Sequence, residues 1–309
     1  MHKGKGGVKL AVIGAGKWGQ ALQAAFLQAQ SPVLITSRSP KNLPHFVDTA
    51  TALGADMLVM ALPVQETTAW LEANFKFSGQ RVMVVSKGIE TATGRFLNEI
   101  YESFIPAENL AFLSGPSFAA EVVKGLPTAL TIASHSEETA ASFMACFPAW
   151  IKTYRTSDVT GAEVAGAYKN VIAIAAGVCD ALGLGNNARA ALITRGLAEM
   201  TRFGLHYGAR TETFLGLAGV GDLFLTATST LSRNYRVGQG LGQGKPIDAI
   251  LAELGEVAEG VPTAQAIVAL SEKSGVYTPI AREVAALIGG KNPKESLHAL
   301  LSRTREEEF

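Results

Sequence analysis

Leu10-Ala11-Val12-Ile13-Gly14-Ala15-Gly16-Lys17-Trp18-Gly19 is the stretch that decides the fold. Four apolar residues in a row read as a buried strand, and glycines at GxGxxG spacing read as a tight turn opening a helix over residues 20–28. In that context Gly14 permits the turn, Gly16 lets the backbone approach a pyrophosphate, and Gly19 lets helix and strand pack closely. The free N–H groups at such a helix start favour an anion. An ordinary glycine-rich strand-to-helix turn is the alternative reading.

Outward from this turn, β-rich runs at residues 8–13, 33–36, 57–62, 81–86, 110–113, 128–133 and 151–154 alternate with helix-like segments. Nearly continuous apolar runs such as Val82-Met83-Val84-Val85 suit a mostly parallel sheet covered on both faces by helices. Residues 1–157 are therefore expected to form an α/β Rossmann domain, a doubly wound dinucleotide-binding unit. Beyond Asp158 helical periodicity continues with no convincing strand, so residues 158–309 are expected to form an all-α substrate-binding and catalytic domain. The Ala/Gly/Val-rich segment after Asp158 reads as a helix buried on most sides. Gly183-Leu184-Gly185 reads as its stop, and Asn186 or Asn187 as the next N-cap. No repeat or low-complexity linker is visible, so the border near Ser157 should be tight.

The chain has 309 residues, with 27 Lys+Arg against 27 Asp+Glu and a net charge of +0. That balance lacks the basic footprint of a nucleic-acid binder or a polybasic membrane anchor and favours a small-molecule partner. Cys146 and Cys179 lie in apolar runs without CxxC spacing, so buried free thiols are expected, with no disulfide or metal site. The apolar run at residues 171–178 is too short to cross a bilayer. The basic start, Met1-His2-Lys3-Gly4-Lys5-Gly6-Gly7, is followed by an apolar run broken by glycines and a lysine, unlike a signal peptide. A cytoplasmic protein with no membrane insertion is expected.

NAD-selective sites place Asp or Glu about 20 residues past the glycines, on the ribose 2′-OH. Here that place reads Ile35-Thr36-Ser37-Arg38-Ser39, and the first acidic residue is Asp48. Ser37 and Arg38 are suited to a 2′-phosphate, so NADP(H) is expected as well as NAD(H). The competing reading of Arg38 is a solvated loop residue.

In Val164-Ala165-Gly166-Ala167-Tyr168-Lys169-Asn170-Val171-Ile172 the only charge is Lys169. Its ammonium either snorkels to solvent or sits in a polar pocket. Burial lowers a lysine pKa toward neutrality, which makes Lys169 the leading general acid/base. Lys87 follows a strand, where doubly wound folds bind ligands, or is a surface loop lysine. Ser114-Gly115-Pro116-Ser117-Phe118-Ala119 is another strand-end turn with N–H and hydroxyl donors, or merely a capped helix start. Asp222, in Gly219-Val220-Gly221-Asp222, either orients a lysine or caps a helix. Ser232-Arg233-Asn234 reads as a phosphate clamp or a solvated helix end.

Taken in order, the GxGxWG turn, Ser86-Lys87-Gly88, Ser114 to Ala119, Tyr168-Lys169-Asn170, residues 219–226, Leu231-Ser232-Arg233-Asn234 and Glu259-Gly260 resemble the bacterial NAD(P)-dependent glycerol-3-phosphate dehydrogenase family over most of the chain. The resemblance implies reversible reduction of dihydroxyacetone phosphate to sn-glycerol 3-phosphate, feeding phospholipid synthesis, by a homodimer. It implies Lys169 as the general acid/base, with Lys87 and Asp222 also catalytic. Lys87, Gly115, Ser117, Lys169, Asn170, Asp222, Ser232, Arg233 and Asn234 would contact or organise substrate. Gly14, Gly16, Lys17, Trp18, Gly19, Ser37, Arg38, Lys87, Ala119, Arg233, Val257 and Glu259 would lie along the cofactor. Two departures stand out. Residues 39–55 are shorter than in the family and lack its asparagine- and tyrosine-bearing loop, and Lys17 stands where a small residue is common. Dehydrogenases of the β-hydroxyacid or 6-phosphogluconate kind also set Lys-Asn on the first helix of a helical domain, but do not explain the Ser-Arg-Asn clamp in its place. A catalytically silent nucleotide sensor is the other rival.

Overall fold

Contacts divide the chain, seen here in a computed structural model describing residues 9–29 and 32–302, into two units. One comprises the described residues up to Lys87 together with Leu97–Glu163; the other comprises Gly88–Phe96 and the described residues from Val164 on. Contacts place the division between Glu163 and Val164, and no sequence signal marks Gly88–Phe96 as part of the second unit. Ile89 and Phe96 belong to that unit's core, and the Thr91 hydroxyl donates to Pro262 O at 3.5 Å. The basic N-terminal stretch, residues 1–7, and Val8 of the first expected strand lie outside the described residues.

The first unit runs β1 (Leu10–Ile13), α1 (Lys17–Phe26), β2 (Val33–Thr36), α2 (Thr49–Leu53), β3 (Met57–Met60), α3 (Thr67–Asn74), β4 (Arg81–Val84), α4 (Leu97–Glu102), β5 (Leu110–Ser114), α5 (Ala119–Val123), β6 (Thr128–Ala133), α6 (Glu137–Met144) and β7 (Ile151–Thr156). The seven strands form one sheet in the order β2-β1-β3-β4-β5-β6-β7. Every pairing is parallel except β5 with β6. All four residues of β1 and of β3 are buried, which requires cover on both faces and explains their unbroken apolar sequences. Because β1 lies between β2 and β3, the connections that follow β1 and β3 run in opposite directions, leaving a crevice at the carboxyl ends of these strands, where open α/β sheets bind ligands. Ile13 at that end is in register with Thr36 and Met60.

The second unit is helical: α7 (Val159–Ala181, whose first residues belong to the first unit), α8 (Gly185–His206), α9 (Thr211–Leu215), α10 (Asp222–Ala227), α11 (Arg233–Gly242), α12 (Ile247–Leu254), α13 (Gly260–Ser274), α14 (Pro279–Ile288) and α15 (Pro293–Leu301). α7 is long and apolar enough to cross a membrane by length and composition, longer than the short run read from the sequence, but 94% of its apolar window is buried inside the protein. The stop after α7 is where the sequence places it, while the next N-cap is Leu184 and not Asn186 or Asn187. Gly183 (φ 69°) and Gly185 (φ 82°) reverse the chain so tightly that the asparagines already lie in the first turn of α8. Cys146 and Cys179 are buried free thiols, and burial pushes the Cys179 thiol up.

Small residues on α7 serve backbone contact. A Cβ at Gly177 would lie 2.1 Å from Tyr235 O, and one at Gly238 on α11 would lie 1.9 Å from Ile174 O. Neither partner is a side chain that can swing away, so the two backbones must separate to admit a methyl. A second tie is the Glu199 carboxylate on α8, which accepts from Ile280 N (2.8 Å), Ala281 N (2.9 Å) and the Tyr168 hydroxyl (2.8 Å). It caps α14 while holding α7. Gly238→Ala is expected to cost about 1–3 kcal/mol through overpacking, read as a lowered thermal midpoint; an unchanged midpoint would disprove the close crossing.

Candidate active site

In the first unit, β1 ends on Gly14, where a φ of 110° and the nearness of Ala61 O, which a Cβ would meet at 2.3 Å, exclude any larger residue. Gly19 meets Gly14 O in the same way, at 1.9 Å. A Cβ at Gly16, by contrast, would meet nothing within 4 Å. Gly16 is the N-cap of α1 and brings no side-chain cap to its N–H groups. Two glycines close the turn against the protein and the third faces open space at an uncapped helix start, so these residues fit a dinucleotide pyrophosphate. Lys17 is the first residue of α1, and Trp18 packs partly buried against the core. Ser37 Oγ donates to Ser39 O at 2.7 Å. Arg38 is 89% exposed and faces Glu66 at 3.9 Å.

Along the sheet, Lys87 Nζ and Ser117 Oγ each donate to Gly115 O at 3.1 Å, which joins the turns after β4 and β5. Ala119 opens α5. Coupled in charge to Lys87 is Glu163, a residue that the motifs do not include. Its buried carboxyl is pushed up to about 8, chiefly by desolvation. The N–H groups of Asn98 and Leu97 and the charge of Lys87 pull it down, and Glu102 pushes it up. Asn98 N donates to Glu163 Oε2 at 3.2 Å. Its sequence signal is the same as that of Lys169, a lone charge in an apolar run.

In the second unit Lys169 is 7% exposed and Asp222 1% exposed. The ammonium donates to Asp222 Oδ1, and to Thr226 Oγ1 at 3.1 Å. The open choice between snorkelling and a polar pocket is decided for the pocket. Asp222 reaches this place because a π-helical turn, Leu217–Gly221, leads directly into α10. Thr226, one turn further along α10, shares its face; the four-residue spacing is the sequence signal that could have found it.

The neighbouring residue Asn170 accepts from Asn234 Nδ2 at 2.9 Å and donates to Gly166 O at 3.2 Å. Gly260 N donates to Asn234 Oδ1 at 3.0 Å. The two amides thus tie α7, α11 and α13 together, and a Cβ at Gly260 would press on Asn234 Oδ1 at 2.7 Å. Ser232 is the N-cap of α11, its Oγ accepting from Tyr235 N at 3.2 Å. Arg233, half exposed at the first helical position, faces Glu256 at 3.7 Å. Glu259 stands at the start of α13, and Val257 is exposed nearby in sequence. Among the described residues no group of three or more His, Cys, Asp or Glu is arranged to hold a metal.

A dinucleotide cradle on a mostly parallel sheet, with a buried lysine on the first helix of a helical unit paired to a carboxylate from a later helix, defines the class of nicotinamide-dependent dehydrogenases. Residues 33–140 match the family described as NAD-dependent glycerol-3-phosphate dehydrogenase N-terminus, and residues 158–298 its C-terminus counterpart. The chain is 55% identical over 294 residues to the glycerol-3-phosphate dehydrogenase [NAD(P)+] of Sulfurimonas denitrificans, covering 95% of this chain and 99% of that one. It is 54% identical to that of Campylobacter lari, with 97% and 99% covered. Among solved structures, the glycerol-3-phosphate dehydrogenase of Coxiella burnetii superposes with a TM-score of 0.87 at 30% identity, over 96% of this chain and 99% of that chain. The chain belongs to the NAD-dependent glycerol-3-phosphate dehydrogenase family. NAD(P)-dependent glycerol-3-phosphate dehydrogenase activity goes with that membership, and the hydroxyacid and silent-sensor readings fall away.

The raised carboxyl of Glu163 makes stability depend on pH. With a folded pKa near 8 against an ordinary 4.5, the folded protein keeps a proton that the unfolded chain has released across that interval. Stability is therefore lost as pH rises through the interval. Glu163→Gln retains an acceptor for Asn98 N and does not titrate. Its thermal midpoint should fall less than the wild type's between about pH 5 and about pH 9; parallel falls would remove the assignment.

Proposed function

We propose that Lys169 is the proton-transfer group in a reversible reduction of dihydroxyacetone phosphate to sn-glycerol 3-phosphate by NADPH or NADH. The observation that carries this is the buried Lys169–Asp222–Thr226 cluster, an ammonium isolated in an apolar helix with one carboxylate fixing it. In the first unit Gly14, Gly16 and Gly19 shape the turn for the pyrophosphate, with Lys17, Trp18, Ser37, Arg38 and Ala119 along the cofactor. When bound, the nicotinamide supplies or accepts the hydride.

The protein's own part is proton delivery and charge placement. Lys169 Nζ gives a proton to the carbonyl oxygen as it becomes an alkoxide, and takes it back in the oxidative direction. Its positive charge stabilises that oxygen before transfer, which is electrostatic catalysis in a site already organised for it. Asp222 and Thr226 hold the amine in one orientation. Arg233, on the first turn of α11 with the hydroxyl of Ser232 beside it, receives the substrate phosphate through its planar fork, helped by the helix N-terminus. Asn170 and Asn234 fix the backbone around Lys169 and Gly260. Lys87, with Gly115 and Ser117, adds positive charge and donors toward the substrate, and Arg233, Val257 and Glu259 complete the cofactor contacts. In the cell, the enzyme is assigned to the cytoplasm as a homodimer that supplies glycerophospholipid synthesis; sedimentation of the purified protein tests the oligomer.

Consumption of reduced nicotinamide absorbance with dihydroxyacetone phosphate is the decisive assay. Turnover of a hydroxyacid with none of this substrate would defeat the proposal. Lys169→Ala should lower kcat by roughly 10²–10⁴-fold, the usual contribution of a positioned acid/base. Because it strands the Asp222 carboxylate, its thermal midpoint is measured alongside. Arg233→Ala leaves both buried networks intact and should raise KM for dihydroxyacetone phosphate by roughly ten- to a hundred-fold, a lost charged hydrogen bond. An unchanged KM removes Arg233 from the clamp.

A further inference from the structure

We propose that Lys41, rather than Arg38, is the residue that selects NADPH, its ammonium holding the 2′-phosphate of the cofactor. The inference rests on the dinucleotide reading of the glycine-rich turn and adds to it a residue that neither the sequence motifs nor the family resemblance singles out. No Asp or Glu occurs between the turn and Asp48, so the end of β2 offers no carboxylate for a ribose 2′-OH.

The short segment after β2 is built into the protein. Ile35 N donates to His45 O at 3.1 Å and Val47 N donates to Ile35 O at 3.0 Å, so the returning chain pairs with β2. Gln23 on α1, itself buried, donates to Pro44 O at 2.7 Å and to Val33 O at 3.0 Å. His45 takes a φ of 54°, the only non-glycine positive value among the described residues, to make this return. Fixed at these points, the segment carries Lys41 back over the glycine-rich turn, where its Nζ donates to Ala15 O at 2.6 Å. Gln20 Nε2 donates to the same carbonyl at 2.8 Å.

Ala15 lies between Gly14 and Gly16, and Gly14 N donates to Thr36 O at 2.9 Å, so the turn and the end of β2 are adjacent. The Lys41 ammonium therefore stands at the corner where a Rossmann fold reads the ribose and its substituent. An ammonium has three donors, and here one is directed to a neutral carbonyl, while no carboxylate pairs with the amine among the described residues. Arg38 is differently placed: it is 89% exposed and opposite Glu66 at 3.9 Å. A solvated cation already facing a carboxylate is a poorer phosphate ligand than one held against the turn by a hydrogen bond. The segment after β2 thus forms a strap that delivers one amine to the cofactor corner.

Fluorescence titrations of the whole protein with NADPH, NADH and adenosine 2′,5′-bisphosphate test the assignment without turnover. Lys41→Ala should weaken NADPH and adenosine 2′,5′-bisphosphate by roughly ten-fold or more, with NADH almost unaffected. Lys41→Arg should keep most of the NADPH affinity, and Arg38→Ala should lose less of it than Lys41→Ala. Equal weakening of NADH and NADPH by Lys41→Ala would show a strap with no role in selection and overturn the proposal, as would unchanged affinity for both. Wild-type protein that binds neither nicotinamide cofactor would instead overturn the dinucleotide reading itself.

Discussion

An ammonium buried in the middle of an apolar helix is the constraint around which the helical unit is organised. Lys169 has almost no contact with water, and an isolated charge in that position would be prohibitively costly. The carboxylate of Asp222 and the hydroxyl of Thr226 offset that cost, and both come from α10. α10 must therefore sit against α7 at one angle and one height. A buried pair of this kind contributes little net stability and much geometric demand, because removing either partner leaves the other charge stranded. The chemistry of the site and the packing of the unit are thus the same requirement seen from two sides.

The surrounding architecture serves the same end by avoiding bulk. The glycines at the α7–α11 crossing let main chains touch, which brings Asn234 within hydrogen-bond reach of Asn170. Glu199 acts at a distance from the chemistry: a carboxylate raised by desolvation yet held by two backbone N–H groups and a tyrosine hydroxyl. It anchors Tyr168, the residue next to Lys169 on α7. Polar groups in this core are few, and those described here are joined to neighbours on other helices, which is how a core with polar members keeps one arrangement.

Much of this is legible in the sequence. Strands as apolar as β1 and β3 can be read from residue type alone, because burial on both faces removes the polar alternation that would otherwise confuse them with loops. Lys169 is legible for the converse reason, being the one charge in its run. The chain reversal at Leu184 misleads because two asparagines after a glycine look like a cap, while two left-handed glycines on either side of Leu184 can restart a helix without one. Lys41 is illegible: a lysine in a polar loop has no pattern, and only the return of the backbone along β2 gives it a place. Glu163 carries a readable signal too, since it stands just before the apolar run of Lys169 with only small and apolar residues between them. Ser232, Arg233 and Asn234 read as a unit, whereas the structure divides their labour among helix capping, an exposed guanidinium and an internal tie.

The π-helical turn before α10 has a consequence for how this site can change over time. In such a turn Gly221 N reaches back to Gly216 O, one residue further than an α-helix allows, so the segment accommodates an additional residue without breaking its axis. Were that wide turn wound as ordinary α-helix with all of its residues kept, the side chains after it would rotate by about 100° around the helix. Asp222 would then point away from the lysine it neutralises, although every substitution-tolerant surface of the protein remained intact. A side chain within the segment is excluded as well, since a Cβ at Gly219 would lie 2.2 Å from Phe214 O, so the aim of Asp222 rests on the wide winding and on that glycine together.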